Sequence, residues 1–147
     1  MSAPAQLLLL ARKTAAAHSL DPALVCAIIE QESSWNPWAM RFEPVFFARY
    51  VAALYTNNKI SASEAYARGF SWGLMQVMGQ VAREFNFAEP FLSTLCDPAE
   101  GLDIGCKVLR RKFDAASGEL INTLQAWNGG AHPSYPAQVL ARRPHYL

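Results

Sequence analysis

Charged residues are scarce in this chain. Only 17% of its 147 residues are Asp, Glu, Lys or Arg, and the formal net charge at pH 7 is +1. Nucleic-acid binding requires a concentrated positive field, so this charge balance argues against DNA or RNA as a partner. Hydrophobic residues make up 52% of the chain, which is typical of a globular protein. The length predicts one compact domain over residues 1–147.

Long apolar runs are also missing. The longest near the N-terminus covers residues 7–11 and ends at Arg12 and Lys13, so it is too short to span a bilayer. No basic residue precedes it, as one would in a signal peptide. We therefore expect no stable membrane insertion and no export signal.

Cysteine is rare as well, with Cys26, Cys96 and Cys106 as the full set. The number is odd and each lies in apolar, helix-like surroundings, which predicts buried reduced thiols, although a bridge between Cys96 and Cys106 is conceivable. No spacing of His and Cys is typical of a metal site. We expect neither a metal nor another cofactor.

Most of the chain carries patterns typical of helices, and we predict a mostly α fold. The predicted helices cover residues 5–17, 22–31, 45–55, 63–68, 81–85, 98–113, 119–127 and 135–142. Asp21 and Pro22 are expected to cap and begin the second helix, and Ser61 or Ser63 the fourth. The aromatic side chains of residues 45–55 either pack in a core or line a groove for sugar rings.

The second helix carries the residue that attracts most attention. Leu24, Ile28 and Glu32 are spaced i, i+4 and i+8, so they share one helical face. Burial on that face and the negative end of the helix dipole would both raise the pKa of Glu32, giving a proton donor near neutrality. Taken alone, this pattern favours the simpler interpretation, in which Glu30 or Glu32 is a solvated surface charge near a helix end.

Glycines bracket a second notable segment, residues 69–79. Glycine lets a backbone bend tightly and approach a ligand closely. Within the segment, Gln76 is a polar side chain among apolar neighbours, and it requires a hydrogen-bond partner if it is buried.

Six short motifs along the chain are informative because of the order in which they occur. They are Glu32-Ser33, Asn36-Pro37, Gly73-Leu74-Met75-Gln76, Asp97-Pro98, Ala126-Trp127-Asn128-Gly129, and Tyr135 with Val139-Leu140. This order resembles the catalytic domain of the soluble lytic transglycosylases over roughly residues 20–142. The resemblance implies a lysozyme-like α fold with a substrate groove, shared with goose-type lysozymes. It also implies peptidoglycan glycan strands as the partner of a monomeric enzyme.

The resemblance assigns roles by position. Glu32 matches the single catalytic acid, and Tyr135 matches the tyrosine that hydrogen-bonds and orients it. The positions expected at the substrate are Ser33, Met75, Gln76, Trp127 and Asn128. Of these, Ser33 is expected to support the turn after the acid, and Trp127 replaces the usual tyrosine of its motif.

Residues 38–70 depart from the family pattern. Met40-Arg41 stands where the family has a serine, and Ser71 is a candidate for the contact which that serine makes. The segment Met40 to Pro44, followed by an aromatic helix, resembles phage-encoded members. The resemblance implies synthesis in the bacterial cytoplasm. The enzyme would then reach the periplasm or cell wall as an endolysin released through a holin, or by delivery within a virion or secretion apparatus.

Two alternatives differ in chemistry. The resemblance implies that Glu32, as single acid and base, cleaves the MurNAc–GlcNAc β-1,4 bond and forms 1,6-anhydro-MurNAc. Glu43 is the best candidate for a second carboxylate, and a groove-facing Glu43 would favour a hydrolytic muramidase in which water attacks that same bond. The other alternative is a wall-binding module that kept the fold without activity. A binding module, however, has no need of a desolvated acid.

Overall fold

The second helix, α2 (Pro22–Ser33), is the axis around which the other elements pack. In the computed structural model, which describes residues 3–147, every side chain from Ala23 to Ile29 is buried. A helix that is apolar on all sides must be enclosed by other elements. Asp21 caps it as predicted, since its carboxylate accepts a hydrogen bond from the backbone nitrogen of Ala23 at 3.0 Å.

The described residues contain nine α-helices and a small sheet. Besides α2, the elements in chain order are α1 (Ala5–Ala17), β1 (Met40–Phe42), α3 (Pro44–Tyr50), α4 (Ala52–Thr56), α5 (Ala62–Arg68), β2 (Phe70–Trp72), β3 (Val77–Met78), α6 (Gly79–Glu84), a 3-10 turn (Leu92–Cys96), α7 (Pro98–Ala115), α8 (Leu120–Trp127), α9 (Tyr135–Arg142) and a second 3-10 turn (Arg143–Tyr146). The prediction of a mostly α, lysozyme-like domain is confirmed. No helix within residues 3–147 is long and apolar enough to cross a bilayer.

The sheet is formed by strands from residues 38–70, which depart from the family pattern, and from the glycine-bracketed segment 69–79. Its three strands are antiparallel in the order β1-β2-β3, with Arg41 opposite Ser71 and Trp72 opposite Val77. The strands are three, three and two residues long. This pairing lays residues 40–42 beside the 73–76 turn.

The predicted single helix over residues 45–55 is wrong. The chain leaves helical geometry at Val51, with φ −120°, and divides into α3 and α4. Val51 is fully buried, which anchors the break. Most of the aromatic residues pack among themselves, with the rings of Phe47 and Tyr66 stacked at a centroid distance of 5.1 Å. Tyr50 remains 52% exposed.

The prediction of buried reduced thiols is confirmed for all three cysteines, and Cys96 and Cys106 are not bridged. Burial raises the pKa of the Cys26 thiol to about 11 and that of Cys106 to about 12. Such thiols stay protonated and behave as small apolar side chains.

Candidate active site

The site begins where α2 ends. Glu32 lies in the last turn of the helix, and Ser34 and Trp35 after it both adopt left-handed backbone conformations, with φ of 50° and 64°. A left-handed backbone at a residue other than glycine costs on the order of 1–3 kcal/mol of conformational free energy. It persists only when the surrounding structure holds it. The Trp35 side chain is 4% exposed, so the surroundings that hold it are the core itself.

Ser33 connects this helix end to the glycine-bracketed segment. Its hydroxyl lies 2.8 Å from the carbonyl oxygen of Leu74 and 3.1 Å from that of Ile29, and it donates to these carbonyls. The hydroxyl is therefore engaged by the backbone on both sides. This geometry fits the expectation that Ser33 supports the turn after the acid.

One oxygen of Glu32 is held by two aromatic side chains. The Tyr135 hydroxyl donates to Oε1 at 2.6 Å, and the indole Nε1 of Trp127 donates to the same oxygen at 3.3 Å. Among residues 3–147, no side chain or backbone group hydrogen-bonds the other oxygen, Oε2. The carboxyl is thus fixed through Oε1 and keeps Oε2 available for proton exchange.

The environment of Glu32 favours its neutral form. Burial raises the pKa of Glu32 above its ordinary value, and the bonds from Tyr135 and Trp127 and the charge of Arg41 offset this only in part. Burial, together with the negative charge and hydrogen bond of Glu32, also raises the pKa of Tyr135. The phenol therefore stays protonated near neutrality and remains a hydrogen-bond donor there.

Local sequence explains how two residues far along the chain reach Glu32. Glu119 caps α8 through hydrogen bonds from the backbone nitrogens of Ile121 and Asn122, which sets the position of Trp127 in its last turn. Asn128 ends that helix and donates to the carbonyl of His132 at 3.4 Å. The loop that follows returns the chain so that α9 begins at Tyr135.

Two residues expected at the substrate are engaged elsewhere. The amide nitrogen of Gln76 donates to the carbonyls of Ala39 at 3.0 Å and Gly73 at 2.9 Å, and its oxygen accepts from Ser71 at 2.8 Å. Gln76 thus has the partners that its position demanded, and it joins β1 to the 73–76 turn. The Met75 side chain is 1% exposed, so it lies in the core and offers no surface to a sugar.

Ser71, the candidate for the contact that the family serine makes, is also engaged within the protein. Ser71 is 6% exposed and its hydroxyl is engaged by Gln76. Its place in β2, opposite Arg41, accounts for this burial.

A family model described as "Transglycosylase SLT domain" matches residues 10–139. The chain belongs to this family. Its members are lytic transglycosylases that act on peptidoglycan, and the chain is a peptidoglycan lytic transglycosylase of this family. Comparisons with curated proteins and with solved structures returned no match.

The second carboxylate considered for this transglycosylase is already paired. Glu43 Oε1 lies 3.1 Å from Nε of Arg41, and the side chain of Arg41 is 76% exposed. The backbone nitrogen of Glu43 donates to the carbonyl of Gly69 at 2.9 Å, which fixes the start of α3. Arg41 therefore stands between two acids: it pairs with Glu43 and its charge acts on Glu32.

Arg41 was not singled out as a site residue from the sequence. Arg41 lies in β1, which pairs with β2, and from there its charge lowers the pKa of Glu32. Two or three residues of strand carry no periodicity that a sequence could reveal.

A cleft of about 530 Å³ lies away from the acid of this transglycosylase, between α1, α6 and α7. Its lining residues are His18, Phe85, Asn86, Lys107, Arg110, Arg111 and Asp114. Most of its charges are neutralised internally, since His18 and Lys107 both bond Asp103 and Arg110 bonds Asp114. No cluster of His, Cys, Asp and Glu within the described part of the chain could hold a metal ion.

Proposed function

We propose that Glu32 is the single acid and base with which this enzyme cleaves the MurNAc–GlcNAc β-1,4 bond, leaving a 1,6-anhydro-MurNAc end. The observation that carries the proposal is the asymmetry of the Glu32 carboxyl. Oε1 is held by Tyr135 and Trp127. Oε2 has no protein partner among residues 3–147, so it is the oxygen that can exchange a proton with substrate.

In the first step, protonated Glu32 donates its proton to the glycosidic oxygen. The bond from C1 of MurNAc to that oxygen breaks, the GlcNAc hydroxyl leaves, and positive charge develops at C1. The raised pKa of Glu32 keeps the proton available near neutrality. The carboxylate that forms is stabilised by the short bond from Tyr135, because hydrogen bonds to charged acceptors are the stronger ones.

In the second step, the same carboxylate removes a proton from the C6 hydroxyl of MurNAc. The C6 oxygen then bonds to C1 and closes the anhydro ring, and Glu32 regains its proton. No water is consumed. The attack is intramolecular, so it gains from proximity.

The pairing of Glu43 supports this reaction over hydrolysis. Hydrolytic glycosidases of the two-carboxylate type use the second carboxylate as base or nucleophile. Here Glu43 forms an ion pair with Arg41 at the protein surface and, within residues 3–147, makes no hydrogen bond to Glu32. Burial and the side chains of Tyr135, Trp127 and Arg41 account for the pKa of Glu32, and no second acid contributes.

Mass spectrometry of muropeptides released from purified sacculi tests the proposal. We expect products one water lighter than hydrolysis products and resistant to borohydride reduction, as anhydro ends require. Reducing MurNAc ends would instead identify a muramidase. In that case Glu43→Gln should remove activity, whereas under the proposal it leaves the product anhydro.

We further propose that the enzyme acts as a monomeric single domain in phage lysis or wall penetration. The support is the resemblance of the Met40 to Pro44 segment to phage-encoded members. Expression in a bacterial host tests the route. Lysis that requires a co-expressed holin identifies an endolysin, and lysis that does not require one contradicts that route.

A further inference from the structure

The 3-10 turn Arg143–Tyr146 lies outside the family match, which ends at residue 139. It nevertheless packs on the acid-bearing helix α2. The backbone carbonyl of Tyr146 accepts a hydrogen bond from Arg12 at 2.7 Å, and the Arg143 guanidinium bonds Asp21 at 2.6 Å. These two bonds hold the turn to α1 at its Tyr146 end and to the start of α2 at its Arg143 end.

The hydroxyl of Tyr146 joins two residues that flank the catalytic acid. It accepts a hydrogen bond from the indole of Trp35 at 2.9 Å and donates one to Glu30 Oε2 at 2.7 Å. The rings of Tyr146 and Trp35 also pack, with a centroid distance of 5.9 Å. Tyr146 is 8% exposed, so water competes little for these bonds.

This connection crosses the strained part of the backbone. Ser34 and Trp35 are the two consecutive left-handed residues, and a strained backbone persists only where neighbouring contacts hold it. Trp35 Nε1 has Tyr146 as its hydrogen-bond partner. That hydroxyl is therefore one of the contacts that hold the turn, in addition to the core packing around Trp35.

We propose that Tyr146 is a positioning residue for the transglycosylase reaction. By joining Trp35 to Glu30 it holds the left-handed turn after Glu32 in place. It thereby keeps the carboxyl of Glu32 against Tyr135. The inference rests on the proposed role of Glu32.

Tyr146→Phe removes the hydroxyl and keeps the ring. Measured on soluble peptidoglycan fragments, kcat should fall about tenfold while KM stays within about twofold, because geometry in the transition state is lost and substrate contacts are not. A looser turn also exposes Glu32, which reduces the effect of burial on its pKa. The fall of kcat with rising pH should therefore move to lower pH.

The groups that bear on this pH readout are few. Tyr135 from α9 and Arg41 from β1 face Glu32 and are unchanged in the variant. Around Tyr146 the ionisable groups are Glu30, Arg142, His145, Arg12 and Cys26. Trp35→Phe removes the same hydrogen bond from its other end and should move the pH profile in the same direction, which keeps the test valid if Tyr146→Phe does not fold.

Arg143→Gln is the matched control for stability. It releases the same turn at Asp21, the other end of a 12-residue helix about 18 Å long. It should lower Tm and leave kcat and the pH profile unchanged. Tyr55→Phe, at an exposed tyrosine of α4, controls for loss of a phenol hydroxyl and should change nothing.

The outcomes separate the inference from the proposed function. Two outcomes overturn the positioning role alone, provided Glu32→Gln is inactive. One is a wild-type kcat and pH profile in Tyr146→Phe. The other is a loss of kcat in Arg143→Gln equal to that in Tyr146→Phe when the two variants lose the same Tm. Activity retained in Glu32→Gln overturns the proposed function and this inference with it.

Discussion

Two carboxylates near the end of the same helix lie in opposite environments. Glu30 accepts a hydrogen bond from Tyr146 and lies 3.9 Å from Arg142 and 3.7 Å from His145. Glu32, two residues on, accepts hydrogen bonds from neutral groups and is sufficiently buried that its pKa is raised. Burial among neutral donors favours the neutral acid, and only Glu32 has that environment. The surroundings of the two side chains, and not their positions in the helix, make Glu32 rather than Glu30 the candidate proton donor.

The largest effect should come from exchanging each carboxyl for an amide. Glu32→Gln should lower kcat about a thousandfold or more, because a general acid and base is lost. Glu30→Gln should keep most of the activity, since its amide oxygen can still accept the bond from Tyr146. Initial rates on soluble fragments measure both, and similar losses in the two variants would remove the distinction between them.

Stability should change in opposite directions in the same pair. A carboxyl whose pKa is raised by folding stabilises the folded state fully below its ordinary pKa, and this stability is lost as pH rises through the raised pKa. Glu32→Gln should therefore equal wild type in acid and unfold at higher temperature near neutrality. Glu30→Gln loses partly exposed ion pairs and should be less stable near neutrality by about 0.5–1 kcal/mol. Thermal unfolding at several pH values measures both differences.

Tyr135→Phe should have the next largest effect. Loss of the 2.6 Å bond leaves the carboxylate formed in the first step without its best donor, so kcat should fall about 10²-fold with KM little changed. The bond from Tyr135 lowers the pKa of Glu32, so its loss should leave that pKa higher. The fall of kcat with rising pH should move to higher pH, opposite to the shift expected for Tyr146→Phe. Equal changes in kcat and KM would contradict the orienting role.

The parts of the fold that the sequence predicts well are those governed by local chemistry. Asp21-Pro22 caps and begins α2 because a carboxylate and a fixed φ favour that geometry locally. That Tyr135 contacts Glu32, and that Trp127 lies at the same site, was predicted from the order of the motifs through the family resemblance. No single segment of the sequence contains that information.

What the sequence did not predict depends on long-range packing. Met75 belongs to a groove motif but is buried against α7 at Gly105, where any larger residue would collide with it. The strands that bring Arg41 toward Glu32 are too short to show alternation. The contact of Tyr146 with Trp35 joins residues 111 positions apart, and neither has a local pattern that indicates the other.

Trp127→Phe should give the smallest effect of the series. Its indole donates to the same oxygen as Tyr135 but at 3.3 Å, near the limit of a useful hydrogen bond. We expect kcat to fall about two- to fivefold, with the pH profile moving slightly to higher pH, because a weak bond that lowers the pKa of Glu32 is lost. Trp127→Tyr, which restores the hydroxyl usual in the family, is the control for ring size. A loss in Trp127→Phe as large as that in Tyr135→Phe would show that the indole acts on substrate as well as on Glu32.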